Sequence, residues 1–159
     1  MIRDANQHDC KVLTEISFIA KSFWNYPDEY MKLWKEELTI RKKYLNNKIV
    51  RCYEQEGKLI GFYSIFEMSE QKTFGKVYLE QGFWLDHMFI LPKYHKKGIG
   101  REFIEDIKIL SKKQVIGKSL KIFVDPNAKG FYLKVGAKEI RVSESSIPNR
   151  TIPVMEIDL

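Results

Sequence analysis

The run Lys96-Lys97-Gly98-Ile99-Gly100-Arg101 places three cations and two glycines at the head of a segment with helical periodicity. The start of a helix has amide hydrogens without intrahelical partners and carries the positive end of the peptide dipole. Glycines at 98 and 100 keep side chains out of that space and the cations add charge, so the run can cradle a pyrophosphate. The same pattern also suits a tight turn before a solvated basic helix. The six-residue glycine fingerprint of a dinucleotide fold and the Gly-Lys-Ser/Thr of a nucleotide-triphosphate loop are both missing, which removes those readings. Asp86 and His87 interrupt an otherwise apolar stretch from Phe83 to Leu91. Burying either without a partner is costly, so each is satisfied by neighbours or takes part in proton transfer. Strand alternation places Asp86 on the face of Met88 and Ile90 and His87 on the other.

These residues need a scaffold, and hydrophobic spacing supplies its elements. Leu13, Ile16, Ala20 and Phe23 recur at helical intervals between about Asp9 and Phe23. A second helix starts after Pro27, with Tyr30, Trp34 and Leu38 along one stripe. Ile49–Gln55 and Leu59–Met68 read as strands joined by a turn at Glu56-Gly57-Lys58. Gln71–Gly75 reads as a polar loop, and one long strand runs from about Val77 until Pro92 stops it. The helix that follows buries Ile99, Phe103, Ile107 and Leu110 and closes at Gly117. A strand at Leu120–Val124, a short helix around Phe131, Tyr132 and Val135, and strands at Ala137–Val142 and Thr151–Leu159 complete the order β-α-α-β-β-β-α-β-α-β-β. This is an α/β fold, expected as one domain over residues 1–159.

At 159 residues, 44% of them hydrophobic, the chain can bury a core without metal or disulfide staples. Cys10 and Cys52 have no closely spaced partner and read as ordinary thiols of a reducing compartment. No apolar run is long enough to span a bilayer, and Met1–Asp9 lacks the pattern of a secretory leader. A cytoplasmic protein without a membrane partner is therefore expected. The net charge of +6 concentrates in two segments, Lys93–Arg101 and Arg41–Arg51. Such charge could serve nucleic acid, but the sequence offers no zinc spacing, RNA-binding aromatic motif or recognition helix.

The stretch LDHMFILPKYHKKGIG, residues 85–100, resembles motif A of the GNAT superfamily of acetyl-CoA-dependent N-acetyltransferases. That motif is an apolar strand, a proline, and Arg/Gln-x-x-Gly-x-Gly/Ala opening a helix. DPNAKGFYLKVGA, residues 125–137, is similar to the family's motif B, in which an Asn opens a helix, a Tyr follows and a Gly ends it. The two occur in family order, and the elements match along nearly the whole chain. His95 stands where the family usually has Arg or Gln, and Ala137 where an aromatic often follows the glycine.

The resemblance implies a mixed, mostly antiparallel central sheet flanked by helices, and transfer of an acetyl group from acetyl-CoA directly to a primary amine of a small molecule or protein. It implies a diphosphate on the turn His95, Lys96, Lys97, Gly98, Ile99, Gly100 and Arg101, and a pantetheine arm along Met88, Phe89 and Ile90. Asn127 either bonds the cofactor's amides or caps its own helix. Tyr132 would protonate the leaving thiolate as well as touch the cofactor. Asp86 ranks first as the base that accepts the amine's proton and His87 second, and the Phe89 amide would polarise the carbonyl. The acceptor would meet Trp24, Tyr26, Tyr30 and Arg150. No metal is implied, and a homodimer through the late strands is compatible with the pattern. A basic nucleic-acid module and an inactive, CoA-responsive domain stay open as alternatives.

Overall fold

The computed structural model describes residues 1–159. Strand β1 (Ile2–Asp4) reaches helix α1 (Cys10–Ser22) through a single 3-10 turn, Gln7–Asp9. The Asn6 side chain accepts the His8 amide while Asp9 Oδ2 accepts the Asn6 amide, so local side chains satisfy the donors of the turn. Arg3 then clamps Asp9 with two nitrogens, at 2.9 and 3.1 Å, and Glu54 with a third at 2.7 Å. Leu13, Ile16 and Ala20 bury one face of α1, but Phe23, expected on the same stripe, lies outside the helix and is 47% exposed.

Three short helices follow: α2 (Asp28–Leu33), α3 (Lys35–Leu38) and α4 (Lys42–Asn47). The sequence pattern fuses the first two, but the Trp34 backbone, at φ −84° and ψ −4°, departs from helical ψ and divides them. Helix α4 has only six residues, too few to show an apolar period, and is absent from the sequence reading for that reason.

Strands β2 (Ile49–Gln55) and β3 (Lys58–Met68) pair antiparallel around Glu56 and Gly57, whose φ angles of 52° and 74° match the two-residue turn that strand twist favours. The expected loop at 71–75 is instead strand β4 (Lys72–Phe74), paired with β5 (Val77–Leu79) in a sheet of their own. The long strand expected from Val77 breaks before β6 (Gly82–Ile90), where Gly82 adopts φ 121°, outside strand geometry for an L-residue.

Helix α5 (Ile99–Lys112) stops before Gly117. Gln114 takes the left-handed role at φ 60°, with the Gln114 amide on the Ser111 carbonyl and the Val115 amide on the Leu110 carbonyl. That is a Schellman ending formed without glycine. Strand β7 (Ser119–Phe123), helix α6 (Lys129–Lys134), strand β8 (Lys138–Glu144) and strand β9 (Thr151–Asp158) complete the chain. The larger sheet has strand order β1-β2-β3-β6-β7-β9-β8, with a parallel pair at β6 and β7 and antiparallel pairs at β1–β2, β2–β3, β7–β9 and β8–β9.

The chain divides into two compact units, Met1–Ile65 with His87–Phe103, and Phe66–Asp86 with Ile104–Leu159. In the first, Leu13, Ile16, Ile40, Val50, Cys52 and Phe62 form a buried cluster with Phe89 and Leu91 packed on it. Cys52 is fully buried there, and burial pushes its thiol pKa up to about 11. In the second, Leu79, Trp84 and Val154 are buried beneath Phe66, Met68 and Phe123, with the Trp84 ring stacked on Phe123 at 4.8 Å. Arg141 ties β8 to the segment before β6 through Glu80 at 2.7 Å and the Tyr78 carbonyl at 2.6 Å.

The hydrogen bonds from Arg3 hold the Asp9 carboxyl below the ordinary carboxylate pKa, against an opposing effect of burial. A depressed folded pKa contributes stability that is present above the unfolded pKa and is lost as pH falls through the folded one. Arg3→Met is expected to lose about 1–2 kcal/mol near neutrality. In urea denaturation series the gap from wild type should begin to shrink below about pH 4, where the unfolded carboxyl takes up its proton, and go on shrinking as pH falls through the lower folded pKa; a gap constant with pH would refute the assignment.

Candidate functional site

Strand β6 is bonded differently on its two sides. The Leu91 amide donates to the Ile60 carbonyl at 2.9 Å and the His87 amide to Ser64 Oγ at 3.2 Å, so odd-numbered residues of this stretch turn their main-chain groups toward β3. Phe89 shares that parity, and its carbonyl oxygen lies so near Gly61 that a Cβ there would sit 2.7 Å from it. A side chain at 61 would force the two backbones apart. The main-chain groups of Met88 and Ile90 therefore point away from β3. The parallel ladder with β7 pairs Phe83–Leu85 with Leu120–Ile122 and ends there. This corrects the expectation for Phe89: its amide faces β3, and the donors on the opposite side are Met88 and Ile90.

Beyond Ile90 the chain makes a 3-10 turn, Pro92–Tyr94, and then the glycine turn. Lys96 and Gly98 both adopt left-handed backbone, at φ 61° and 85°. The first main-chain bond into α5 is the Glu102 amide on the Gly98 carbonyl at 3.0 Å. The amides of Ile99, Gly100 and Arg101 precede it and are those a helix start leaves without an intrahelical partner. A Cβ on Gly98 would meet no protein atom within 4 Å, so that side of the turn is open space. Lys96, Lys97 and Arg101 are exposed, and the Lys93 and Lys97 ammoniums both lie 5.2 Å from the Tyr94 ring. Helix-start amides with exposed cations around them fit a diphosphate. Phe103, fully buried with its ring edge-on to Tyr53 and Tyr63, anchors this helix start to β2 and β3.

His95 differs from the expectation for it. Its Nε2 donates to the Ile90 carbonyl at 3.1 Å, and its ring packs against Phe23 (5.1 Å, 85°) and Trp24 (6.4 Å, 22°). The side chain thus faces the end of β6 and the residues after α1. Trp24, expected at the acceptor, lies in this cluster. Tyr26 and Tyr30 belong to another, with Trp34 at 4.9 and 5.6 Å, and the Lys21 ammonium lies 4.3 Å from the Trp34 ring.

His87 is held from several sides. Its Nε2 donates to the Glu37 carbonyl at 2.9 Å, and its ring stacks on Tyr44 and Phe89 and meets Phe62 edge-on. A nitrogen that donates to a carbonyl cannot accept a proton, so Nε2 does not serve as a base in this arrangement. Asp86 is half-buried and lies on the other face of the strand. Ser64, absent from the sequence expectations, accepts the His87 amide and shares a 2.6 Å hydrogen bond with Tyr44. Its signal was available: a lone serine within the apolar run from Leu59 to Phe66.

In the second unit, the turn before α6 is capped by Asp125, whose Oδ1 accepts the Asn127 amide at 3.0 Å and the Asn127 side-chain nitrogen at 3.1 Å. Capping therefore falls to Asp125, and Asn127 is exposed. Tyr132 is buried beside Phe131. Burial first, and the nearby Asp125 charge second, raise its phenol pKa above the ordinary value, so it carries its proton throughout the neutral range. Arg150 closes its loop by main-chain bonds, donating to the Ile147 carbonyl and accepting from the Ser145 amide.

Comparison with known proteins identifies the family. The family model described as an acetyltransferase (GNAT) domain matches residues 26–147. The chain belongs to that family, whose cosubstrate is acetyl-CoA. It is 28% identical over 109 residues to the peptidyl-lysine N-acetyltransferase YiaC of Escherichia coli K12, a match covering 68% of this chain and 64% of that protein. Among solved structures, the PaiA N-acetyltransferase of Thermoplasma acidophilum, in complex with coenzyme A, superposes with a TM-score of 0.75 at 21% identity, over 100% of this chain and 98% of that one. The ribosomal-protein-S18-alanine N-acetyltransferase of Escherichia coli gives a TM-score of 0.65 at 15% identity, over 99% and 92%.

Gly98→Ala separates backbone strain from anion access. The left-handed φ should cost about 1 kcal/mol of stability, read as a lowered thermal midpoint. Coenzyme A affinity, measured by calorimetry, should fall by more than that loss accounts for, because the new methyl fills open space at the turn that would receive the anion. An unchanged dissociation constant would show that the turn does not hold the anion.

Proposed function

We propose that this protein transfers an acetyl group from acetyl-CoA to a primary amine, with a peptidyl lysine as the first acceptor to test. The observation that carries the reading is the one-sided bonding of β6. Met88 and Ile90 present main-chain groups away from β3, and the strand runs into a left-handed turn whose amides are open to an anion. A pantetheine arm carries amides and pairs with a strand edge as a peptide does. YiaC, named as a peptidyl-lysine enzyme, supports the choice of acceptor.

Acetyl-CoA supplies the activated acyl group; the chain supplies its placement and the movement of protons. The amides of Lys96–Arg101 bind the diphosphate, and the edge at Met88 and Ile90 aligns the arm. A donor amide on that edge polarises the thioester carbonyl. A lysine-like amine attacks only when neutral, which costs on the order of 4–5 kcal/mol at pH 7. Asp86, on the strand face of Met88 and Ile90, takes up its proton, directly or through water; His87 commits Nε2 to a carbonyl and could accept only at Nδ1. As the carbon–sulfur bond breaks, Tyr132, kept protonated at neutral pH by its burial, gives its proton to the sulfur. Cys10 and Cys52 both have raised thiol pKa values through burial, which supports direct transfer over an acyl-enzyme. A cytoplasmic setting, where acetyl-CoA and lysine-bearing proteins meet, is part of the same proposal.

Calorimetry with coenzyme A followed by turnover on a lysine peptide tests the reading. Tyr132→Phe should lower kcat about 100-fold while leaving the coenzyme dissociation constant within about twofold. Equal loss of both, or of neither, would remove the acid role. Salt-sensitive nucleic-acid binding without coenzyme binding would replace the enzymatic reading altogether.

A further inference from the structure

The geometry points to His95 as a positioning residue that locks the end of the acyl-arm strand to the anion turn, rather than as a ligand of the anion. The inference rests on the functional reading above. By strand parity, Met88 and Ile90 turn their amides and carbonyls to the side away from β3. His95 Nε2 occupies one of these groups, the Ile90 carbonyl, at 3.1 Å. That bond closes a short loop from Ile90 through Pro92–Tyr94 to His95, immediately before the left-handed residue Lys96.

The ring is also held from outside. Phe23 meets it edge-on at 5.1 Å and Trp24 stacks at 6.4 Å, although both are substantially exposed, at 47% and 40%. The two rings also meet each other edge-on at 4.8 Å, so Phe23, Trp24 and His95 form one partly exposed aromatic cluster. The turn from Asn25, at φ 54°, carries the chain away directly after the pair.

Two consequences follow for the cofactor. The distance between the strand edge and the anion turn is fixed before it binds, so less ordering is required on association. The Ile90 carbonyl already accepts one hydrogen bond, so the Met88 groups and the Ile90 amide are the freer partners for the arm. A ligand with both arm and diphosphate benefits from the lock, whereas one with the diphosphate alone does not.

The test compares wild type, His95→Phe and His95→Gln as full chains. Phenylalanine keeps the ring contacts and removes the donor; glutamine retains an N–H donor. The probes are coenzyme A and 3′-phosphoadenosine 5′-diphosphate, the same nucleotide without its arm, with acetyl-transfer kinetics alongside. In His95→Phe, coenzyme A should bind about five- to tenfold more weakly. The KM for acetyl-CoA should rise in step, with kcat nearly unchanged and binding of the armless nucleotide within about twofold of wild type. His95→Gln should restore most of the loss. Unchanged coenzyme A binding in His95→Phe, an equal loss for both nucleotides, or no rescue by glutamine would each overturn the inference while wild-type binding leaves the functional reading intact. A wild-type chain that binds no coenzyme A would overturn both.

Discussion

A β-strand has two hydrogen-bonding sides, and strand β6 commits one of them. Its odd-numbered residues bond to β3 through Leu91 and His87, while its ladder with β7 is confined to Phe83–Leu85. Main-chain amides and carbonyls need partners, so the side turned away from β3 keeps a capacity for strand-like pairing. Gly61 permits the close approach of β3, and Ser64 Oγ accepts the His87 amide. If β6 slipped by one residue, Met88 and Ile90 would exchange roles with their neighbours and the edge would present different side chains.

The two histidines of the motif segment show how that strand is held. His87 gives its Nε2 proton to the Glu37 carbonyl and His95 gives its own to Ile90. Both rings are packed among aromatics. Each contributes a directed donor and a flat surface, one bracing the middle of β6 and the other its end. The buried phenol of Tyr132 is a different kind of group, with a proton held by burial and by the nearby Asp125 charge.

Much of the fold was legible because the relevant signals are periodic. The stripe of α1, the β2–β3 hairpin and the apolar face of α5 follow from spacing, and the glycine turn from two glycines among cations. What failed was local and short. Helix α4 and strands β4 and β5 have too few residues to display a period, and the ending of α5 depends on Gln114 accepting a left-handed backbone usually given to glycine. At the site, spacing placed Asp86 and His87 on opposite faces. It does not show which way a main-chain amide points, so it assigns the outward amide to Phe89, whereas the amides of Met88 and Ile90 are those that face away from β3. Nor could residue type alone show that His95 reaches back to a carbonyl, since that depends on how the turn folds over the strand.

The burial of Cys52 bears on chemical self-protection. Thiolates exchange with thioesters, and a protein that handled an activated acyl group beside an ionised thiol would acylate itself. With its pKa pushed up to about 11, its side chain enclosed and its sulfur 3.7 Å from the Arg3 carbonyl, Cys52 offers no such trap. At neutral pH on the order of one molecule in ten thousand is ionised there. The same enclosure should leave it unmarked by alkylating reagents for as long as the chain stays folded, which makes its labelling a direct gauge of global opening.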